Sequence, residues 1–341
     1  MSATWSERGD LTEVDTSEAT RGLATSEVDL SVDLGGLAMH NPITTASGCF
    51  ASGAEIDRFY DIAGLGAVVV KSLTLEPREG LPTPRMHETA SGMLNAIGLQ
   101  NPGIDRWLAR DLPWLQGKDL PVVVSIAGTT VEEYRELARR LRNKPGVAAI
   151  EVNLSCPNVE HRGLVFACHA EPSSEVIRAV VRESAVPVFG KLTPDVTDIT
   201  AVARAVVDAG ATGLSLINTT LGMAIDPDTG VPRLANTFGG LSGPAIKPIA
   251  IRAMYQVHQA LPQVPKIGMG GLRTVEDVVE MIRAGAWAVA IGTATFADPF
   301  RPLDLVTELR EWLAARELRS VDQIRGVVTP RTVPTHTTQE P

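Results

Sequence analysis

The stretch Asn153-Leu154-Ser155-Cys156-Pro157-Asn158 gathers the most chemically capable side chains of the sequence into six positions. Two amides flank one thiol. An amide offers both a donor and an acceptor, which suits the imide-like edge of a pyrimidine ring. A thiol, with an ordinary pKa of about 8.5, can serve as a general base where its surroundings favour the thiolate. The competing reading is a buried and inert cysteine, the commoner fate of a lone Cys. Cys49 and Cys168 lack such company and read as structural or incidental.

A second candidate is Gly268-Met269-Gly270-Gly271, followed by Arg273-Thr274 and a helical pattern, with Gly292-Thr293-Ala294 behind the next apolar run. Glycines let a backbone approach a ligand closely, and free N–H groups at a helix start attract phosphate. Plain tight turns would use the same residues. Lys71 and Lys191 each close an apolar run. A lysine there is costly to bury unpaired. It could face a carboxylate or flavin, form a Schiff base, or make a structural salt bridge, and the residues alone leave all three open. The six histidines (His40, His87, His161, His169, His258 and His336) show no paired-ligand spacing, so no metal site is expected. Nucleophile-elbow, P-loop and dinucleotide fingerprints are missing, which disfavours hydrolase and nucleotide-fold readings.

The elements that must position these residues are apolar runs alternating with helical patterns. Candidate strands are Ile43–Ser47, Ala67–Leu73, Pro121–Ala127, Ala149–Ser155, Pro187–Leu192, Gly213–Thr219, Pro265–Met269 and Ala288–Gly292. Between them, Ile199, Val202, Ala203 and Val206 repeat at helical spacing, as do Val275, Val278, Val279 and Ile282. Ala63-Gly64, Ala209-Gly210 and Ala284-Gly285 read as helix stops, each closed by a left-handed glycine before a strand. Eight such units favour a closed (β/α)8 TIM barrel of the α/β class over an open doubly wound sheet, although strand order is invisible in one sequence. Long rim loops follow strands 2 and 6, over Thr74–Gly103 and Leu221–Gly243. In a barrel the C-terminal strand ends carry the chemistry, and every candidate above lies there.

The 341 residues are 44% hydrophobic, enough for a substantial core, and carry a net charge of −9, which argues against nucleic acid or an anionic membrane as main partner. The polar ends, 1–28 and 329–341, read as flexible tails around one domain over 29–328. No long apolar run and no signal-peptide pattern stand in the sequence, and cysteine usage fits a reducing compartment; a soluble cytoplasmic protein is expected.

Taken together, Thr45-Ala-Ser-Gly48, Lys71-Ser-Leu-Thr74, Asn95-Ala-Ile-Gly-Leu-Gln-Asn-Pro102, Asn153-Leu-Ser-Cys-Pro-Asn158, Asn218-Thr219, Gly240-Leu-Ser-Gly-Pro-Ala-Ile-Lys-Pro248 and Gly268-Met-Gly-Gly271 resemble dihydroorotate dehydrogenase, above all the class 1B catalytic subunit. The resemblance runs from about Val28 to Val328. It implies an FMN-binding barrel that oxidises dihydroorotate to orotate in pyrimidine biosynthesis. Cys156 is then the general base for the C5 proton, and hydride passes from C6 to the flavin. Lys71, Asn95, Ala96, Ile97, Gly98, Leu99, Asn153, Asn158, Asn218 and Thr219 resemble the substrate-binding set. Ser47, Lys71, Ser72, Ser125, Asn153, Lys191, Ile217, Gly243, Gly270, Gly271, Gly292 and Thr293 resemble the FMN set, with the phosphate on the last four. Lys191 would help stabilise the reduced ring. The resemblance further implies a homodimer core and an electron-transfer subunit carrying FAD and a [2Fe–2S] cluster.

Two positions depart from the family. Ser125 stands where an Asn is usual, which would shorten, water-bridge or remove one hydrogen bond. The run His161-Arg-Gly-Leu-Val-Phe-Ala-Cys-His169 is atypical, and parts of it resemble dihydropyrimidine dehydrogenase. A uracil-type flavin oxidoreductase is therefore the alternative, although Asn158 and the Gly240–Pro248 stretch favour dihydroorotate.

Overall fold

The computed structural model describes residues 23–155 and 169–329. In chain order, β1 (Val32–Asp33) and β2 (Ala38–Met39) form an antiparallel hairpin, β3 (Ile43–Thr45) and β4 (Val68–Val69) begin the main sheet, and β5 (Met86–Thr89) and β6 (Gly92–Asn95) form a second hairpin. There follow α1 (Ile104–Leu115), β7 (Val122–Ile126), α2 (Val131–Leu141), β8 (Val147–Asn153), α3 (Ala170–Glu183), β9 (Val188–Leu192), α4 (Ile199–Asp208) and β10 (Gly213–Leu216). The chain continues with β11 (Thr220–Gly222), β12 (Gly239–Ser242), α5 (Lys247–Ala260), β13 (Lys266–Met269), α6 (Val275–Arg283), β14 (Ala288–Ile291), α7 (Ala294–Ala297) and α8 (Arg301–Ala314).

Eight parallel strands pair in the order β3-β14-β13-β10-β9-β8-β7-β4. The two ends of that row meet. Thr44 bridges Ala67 in parallel, and Gly66 donates its N–H to the Ile43 carbonyl at 2.8 Å. On the same seam Thr45 Oγ1 accepts the Val69 N–H at 2.8 Å and donates to the Val69 carbonyl at 3.2 Å, so a side chain supplies what a longer strand would have given. The sheet is thus a closed barrel, and the open doubly wound alternative is excluded. All eight expected strands are present. Residues of β7 and β9 are buried along their whole length, as parallel strands covered on both faces must be.

The helices bury the faces their periodicity marks. In α4 these are Ile199, Val202, Ala203 and Val206, and Asp198 caps the start by accepting the Thr200 and Ala201 N–H groups. Gly210 and Gly285 have φ of +105° and +120°, so two of the expected helix stops are left-handed closures. The third differs. Ile62–Gly64 is a single 3-10 turn ending in extended backbone, because the link from β3 to β4 holds only short turns where other units hold a helix.

The long rim loops are not irregular. They contribute a four-stranded antiparallel sheet in the order β11-β12-β6-β5, with Asn95 opposite Gly240. At the other end of the barrel, the turn between β1 and β2 packs beside Thr212, Pro265 and Pro187, the residues leading into β10, β13 and β9. One mouth is roofed by a sheet, and the opposite end is covered by a hairpin.

Candidate active site

The C-terminal ends of β8, β9 and β10 bring an amide, an ammonium and a hydroxyl side by side. Asn153 and Lys191 are register partners on β8 and β9, and Ser215 of β10 pairs with Lys191 in turn. The Asn153 side chain is a hub. Its oxygen accepts from Asn218 Nδ2 and from the Ser155 N–H, each at 3.2 Å, and its amide reaches Ser72 Oγ at 3.4 Å. The buried Tyr134 hydroxyl holds the Asn153 carbonyl at 2.6 Å. Asn218 in turn accepts the Thr219 N–H at 2.8 Å. An amide fixed at both ends presents a defined hydrogen-bonding edge, which is what recognition of a planar ring requires.

Asn95 reaches this mouth from the rim sheet, donating to the Gly240 carbonyl at 3.3 Å. The loop behind it, Ala96 to Leu99, is braced at both ends: Ala96 N–H donates to Arg85 O, and Leu81 N–H to Ile97 O. Leu99 adopts φ +56°, a conformation that costs a leucine energy unless its neighbours impose it. Asn101 does so. It is buried, it donates to the Leu99 carbonyl and to Thr74 Oγ1 at 2.8 Å each, and it accepts the Gly103 N–H at 2.9 Å. Lys71 lies beside Gly48, where an added Cβ would sit 3.5 Å from its Nζ.

A chain of side chains runs across five successive strand ends. Ser47 contacts Ser72 at 3.1 Å, Ser72 contacts Ser125 at 2.9 Å, Ser125 donates to Glu151 Oε1 at 3.2 Å, and Lys191 donates to that same oxygen at 3.4 Å. Lys191 makes an ion pair with Glu151 at 3.4 Å. Ser125 is fully buried, its hydroxyl engaged between Ser72 and Glu151.

The glycine segments form a separate seat. Gly270 and Gly271 have φ of +125° and +77°, and a Cβ on Gly271 would lie 2.6 Å from the Gly243 carbonyl and 3.0 Å from Lys247 N. Only a residue without a side chain fits that approach. Gly243 and the Gly270–Gly271 pair therefore bring two backbone segments together, with Ile217 packed beside Gly270. Thr293 donates to Ser242 Oγ at 2.8 Å and draws the loop after β14 onto the same place, beside Gly292. Asp277 ties the rim of the seat, accepting the Arg273 and Thr274 N–H groups at 2.9 Å each and pairing with Lys247 at 2.7 Å. Burial would raise the Asp277 pKa, but Lys247 and the two N–H groups outweigh it and hold the carboxyl below its ordinary range. An open cradle of backbone with hydroxyls at its edge suits a phosphate-bearing group.

The expected residues Ser47, Ser72, Ser125, Asn153, Lys191, Asn218 and Thr219 fall in one connected network, and Gly243, Gly270, Gly271, Gly292 and Thr293 in the neighbouring seat. Cys156, Asn158 and the His161–Cys168 run lie outside the described residues. Three participants were not singled out by the sequence reading: Glu151, Asn101 and Tyr134. Glu151 carried a signal, being a lone acid inside the buried strand Val147–Asn153. Cys49 is half-buried beside Gly292, and its thiol is pushed up to about 11 by burial, against the pull of Lys191 and Lys71. No group of metal-ligating side chains occurs among the described residues.

Comparison with known proteins bears on the same region. A profile described as dihydroorotate dehydrogenase matches residues 29–313. A protein of Anoxybacillus flavithermus named dihydroorotate dehydrogenase B (NAD(+)), catalytic subunit, is 56% identical over 280 residues, covering 82% of this chain and 89% of its own. Proteins of the same name from Listeria monocytogenes and Bacillus cereus are 49% and 50% identical over 296 and 297 residues, each covering 87% of this chain.

Proposed function

The chain belongs to the dihydroorotate dehydrogenase family, and from that premise we propose that it oxidises dihydroorotate to orotate at the barrel mouth with FMN as bound cofactor. The observation that carries this reading is the amide network centred on Asn153, the register partner of Lys191, at the same barrel mouth as the glycine seat. The residues fit the cofactor: Gly243, Gly270, Gly271, Gly292 and Thr293 would hold its phosphate, and Ser47, Ser72, Lys191 and Ile217 its ring. FMN, when bound, supplies the acceptor for the hydride leaving C6.

The protein's own part is to hold the substrate and take a proton. Lys71 pairs with the substrate carboxylate, while Asn95, Asn153, Asn218 and Thr219 engage the ring edge and the Ala96–Leu99 backbone closes over it. Asn158, five residues past Asn153 in the sequence, would join them. Cys156, three residues past Asn153, takes the C5 proton as thiolate, so loss of that proton and of hydride from C6 leaves the C5–C6 double bond of orotate. Lys191 would counter negative charge on the reduced cofactor ring.

The names of the relatives point to a second subunit that passes electrons to NAD, and we assign this chain the catalytic half of such an assembly, built on a homodimer core and located in the cytoplasm. The partner would carry FAD and a [2Fe–2S] cluster. Among the described residues no helix is long and apolar enough to cross a membrane.

Anaerobic visible spectroscopy tests the reading. The purified protein should be yellow and should bleach on adding dihydroorotate, far faster than with dihydrouracil, which lacks the carboxylate for Lys71. Cys156→Ser should slow bleaching by two orders of magnitude or more, roughly the contribution of a positioned base, with FMN retained. A colourless protein that FMN cannot reconstitute would sink the proposal, and equal bleaching by both substrates would shift it to the uracil-type alternative.

A further inference from the structure

Glu151 has no part in the reaction as set out above, yet it is fully buried directly behind the mouth. One carboxylate oxygen is shared by Ser125 and Lys191, and the other has no hydrogen-bond partner. Stability does not explain such a group. A buried ion pair is often no better than apolar residues of the same volume, and an unpaired buried carboxylate oxygen is costly. Nor is the contact a tight one: at 3.4 Å it uses a single N–H of an ammonium that has three.

We propose that Glu151 is a positioning residue that sets how much positive charge Lys191 presents to the flavin. The inference rests on the FMN reading given above. A lysine alone beside the ring would act with its whole charge. With a carboxylate beside it, fixed from the other side by the Ser47–Ser72–Ser125 hydroxyls, the pair acts as a dipole, and the attraction for the electrons arriving with hydride is reduced. The same contact holds the Lys191 side chain at the strand end where it is the register partner of Asn153. Glu151 thereby fixes both the place and the strength of the charge, and so the driving force of flavin reduction.

The test is the flavin midpoint potential of the FMN-loaded protein, measured by anaerobic dye-coupled titration for wild type, Glu151→Gln and Glu151→Asp. Removing the negative charge in Glu151→Gln should favour the reduced flavin by about tenfold, a rise of about 30 mV for a two-electron couple. Glu151→Asp keeps the charge but withdraws it by one methylene, and should give a smaller rise in the same direction. This milder change also serves if the Gln variant does not fold. A potential unchanged or lowered in the folded variants would overturn the proposal, even if the melting temperature fell, since that is the mark of a structural role only. A wild type that binds no flavin fails the underlying reading instead, so the two failures are distinguishable.

Discussion

Two of the three thiols follow barrel strands in the sequence, Cys49 after β3 and Cys156 after β8, and their neighbours in the sequence set them apart. Cys156 follows Asn153 and precedes Asn158, whereas Cys49 packs beside Gly292 with its thiol pushed up to about 11. The neighbouring ammonium groups of Lys191 and Lys71 pull the other way but do not overcome burial. At neutral pH the thiolate fraction of Cys49 is then far below that of an ordinary cysteine. Iodoacetamide at pH 7.5, followed by digestion and mass mapping, should leave Cys49 unmodified while Cys156 is labelled. Rapid labelling of Cys49 would mean that the lysines, not burial, govern it. The residues beside each thiol already separated the two, since amides flank Cys156 and none flanks Cys49; the structure adds that burial suppresses the Cys49 thiolate. Glu151 is a parallel case. An acid in the middle of Val147–Asn153 was visible in the sequence as a break in an apolar strand, and only its partners, Ser125 and Lys191, had to come from the structure.

At the scale of elements, the eight barrel strands were readable because a buried parallel strand has to be apolar, and the helices because their buried stripes repeat at helical spacing. The rim sheet was not. Its strands read Met-His-Glu-Thr, Gly-Met-Leu-Asn, Thr-Leu-Gly and Gly-Gly-Leu-Ser, too short and too mixed for a period to emerge. The helix stop at Ala63-Gly64 misled for a related reason, since the dipeptide fits a 3-10 turn equally well. The start of α6 shows what an element contributes to the site. Thr274 and Asp277 cap the helix reciprocally, and Asp277 reaches beyond the cap to the Arg273 N–H and to Lys247 at the start of α5. Replacing Asp277 by Ala should cost about 1–2 kcal/mol, the usual loss of a good cap, and should weaken FMN binding because the loop after Gly271 loses its anchor. Thermal melts and flavin-fluorescence titration read the two effects separately. A destabilised variant with unchanged FMN affinity would confine Asp277 to the helix.

The whole barrel divides its buried lysines between its ends. Lys191, at the C-terminal mouth, has a carboxylate partner. Lys266, at the N-terminal start of β13, is fully buried and donates to the carbonyls of Leu261 and Val264 at 2.7 and 2.5 Å, so it closes the end of α5 with its ammonium. Arg325, stacked on Trp287, is a cation near it, while His258 close by has its pKa lowered by burial first. Burial first, and Arg325 second, lower its pKa to about 8. The unfolded chain keeps that proton to about pH 10.4, so between these values the unfolded state binds more protons and stability must rise with pH. His258, also lowered by burial first, acts in the same sense but at lower pH, where the imidazole ordinarily titrates. The melting temperature of wild type should therefore rise relative to that of Lys266→Met as pH is raised from 7.5 to 10. A difference that stays flat over that range would mean that the two carbonyls keep Lys266 charged throughout. Because the hairpin-covered end is remote from the chemistry, the substitution should leave the flavin midpoint potential where it was, while Glu151→Gln at the mouth should move the potential. In a barrel whose N-terminal face serves stability and whose C-terminal face serves reaction, the two buried lysines answer to different measurements.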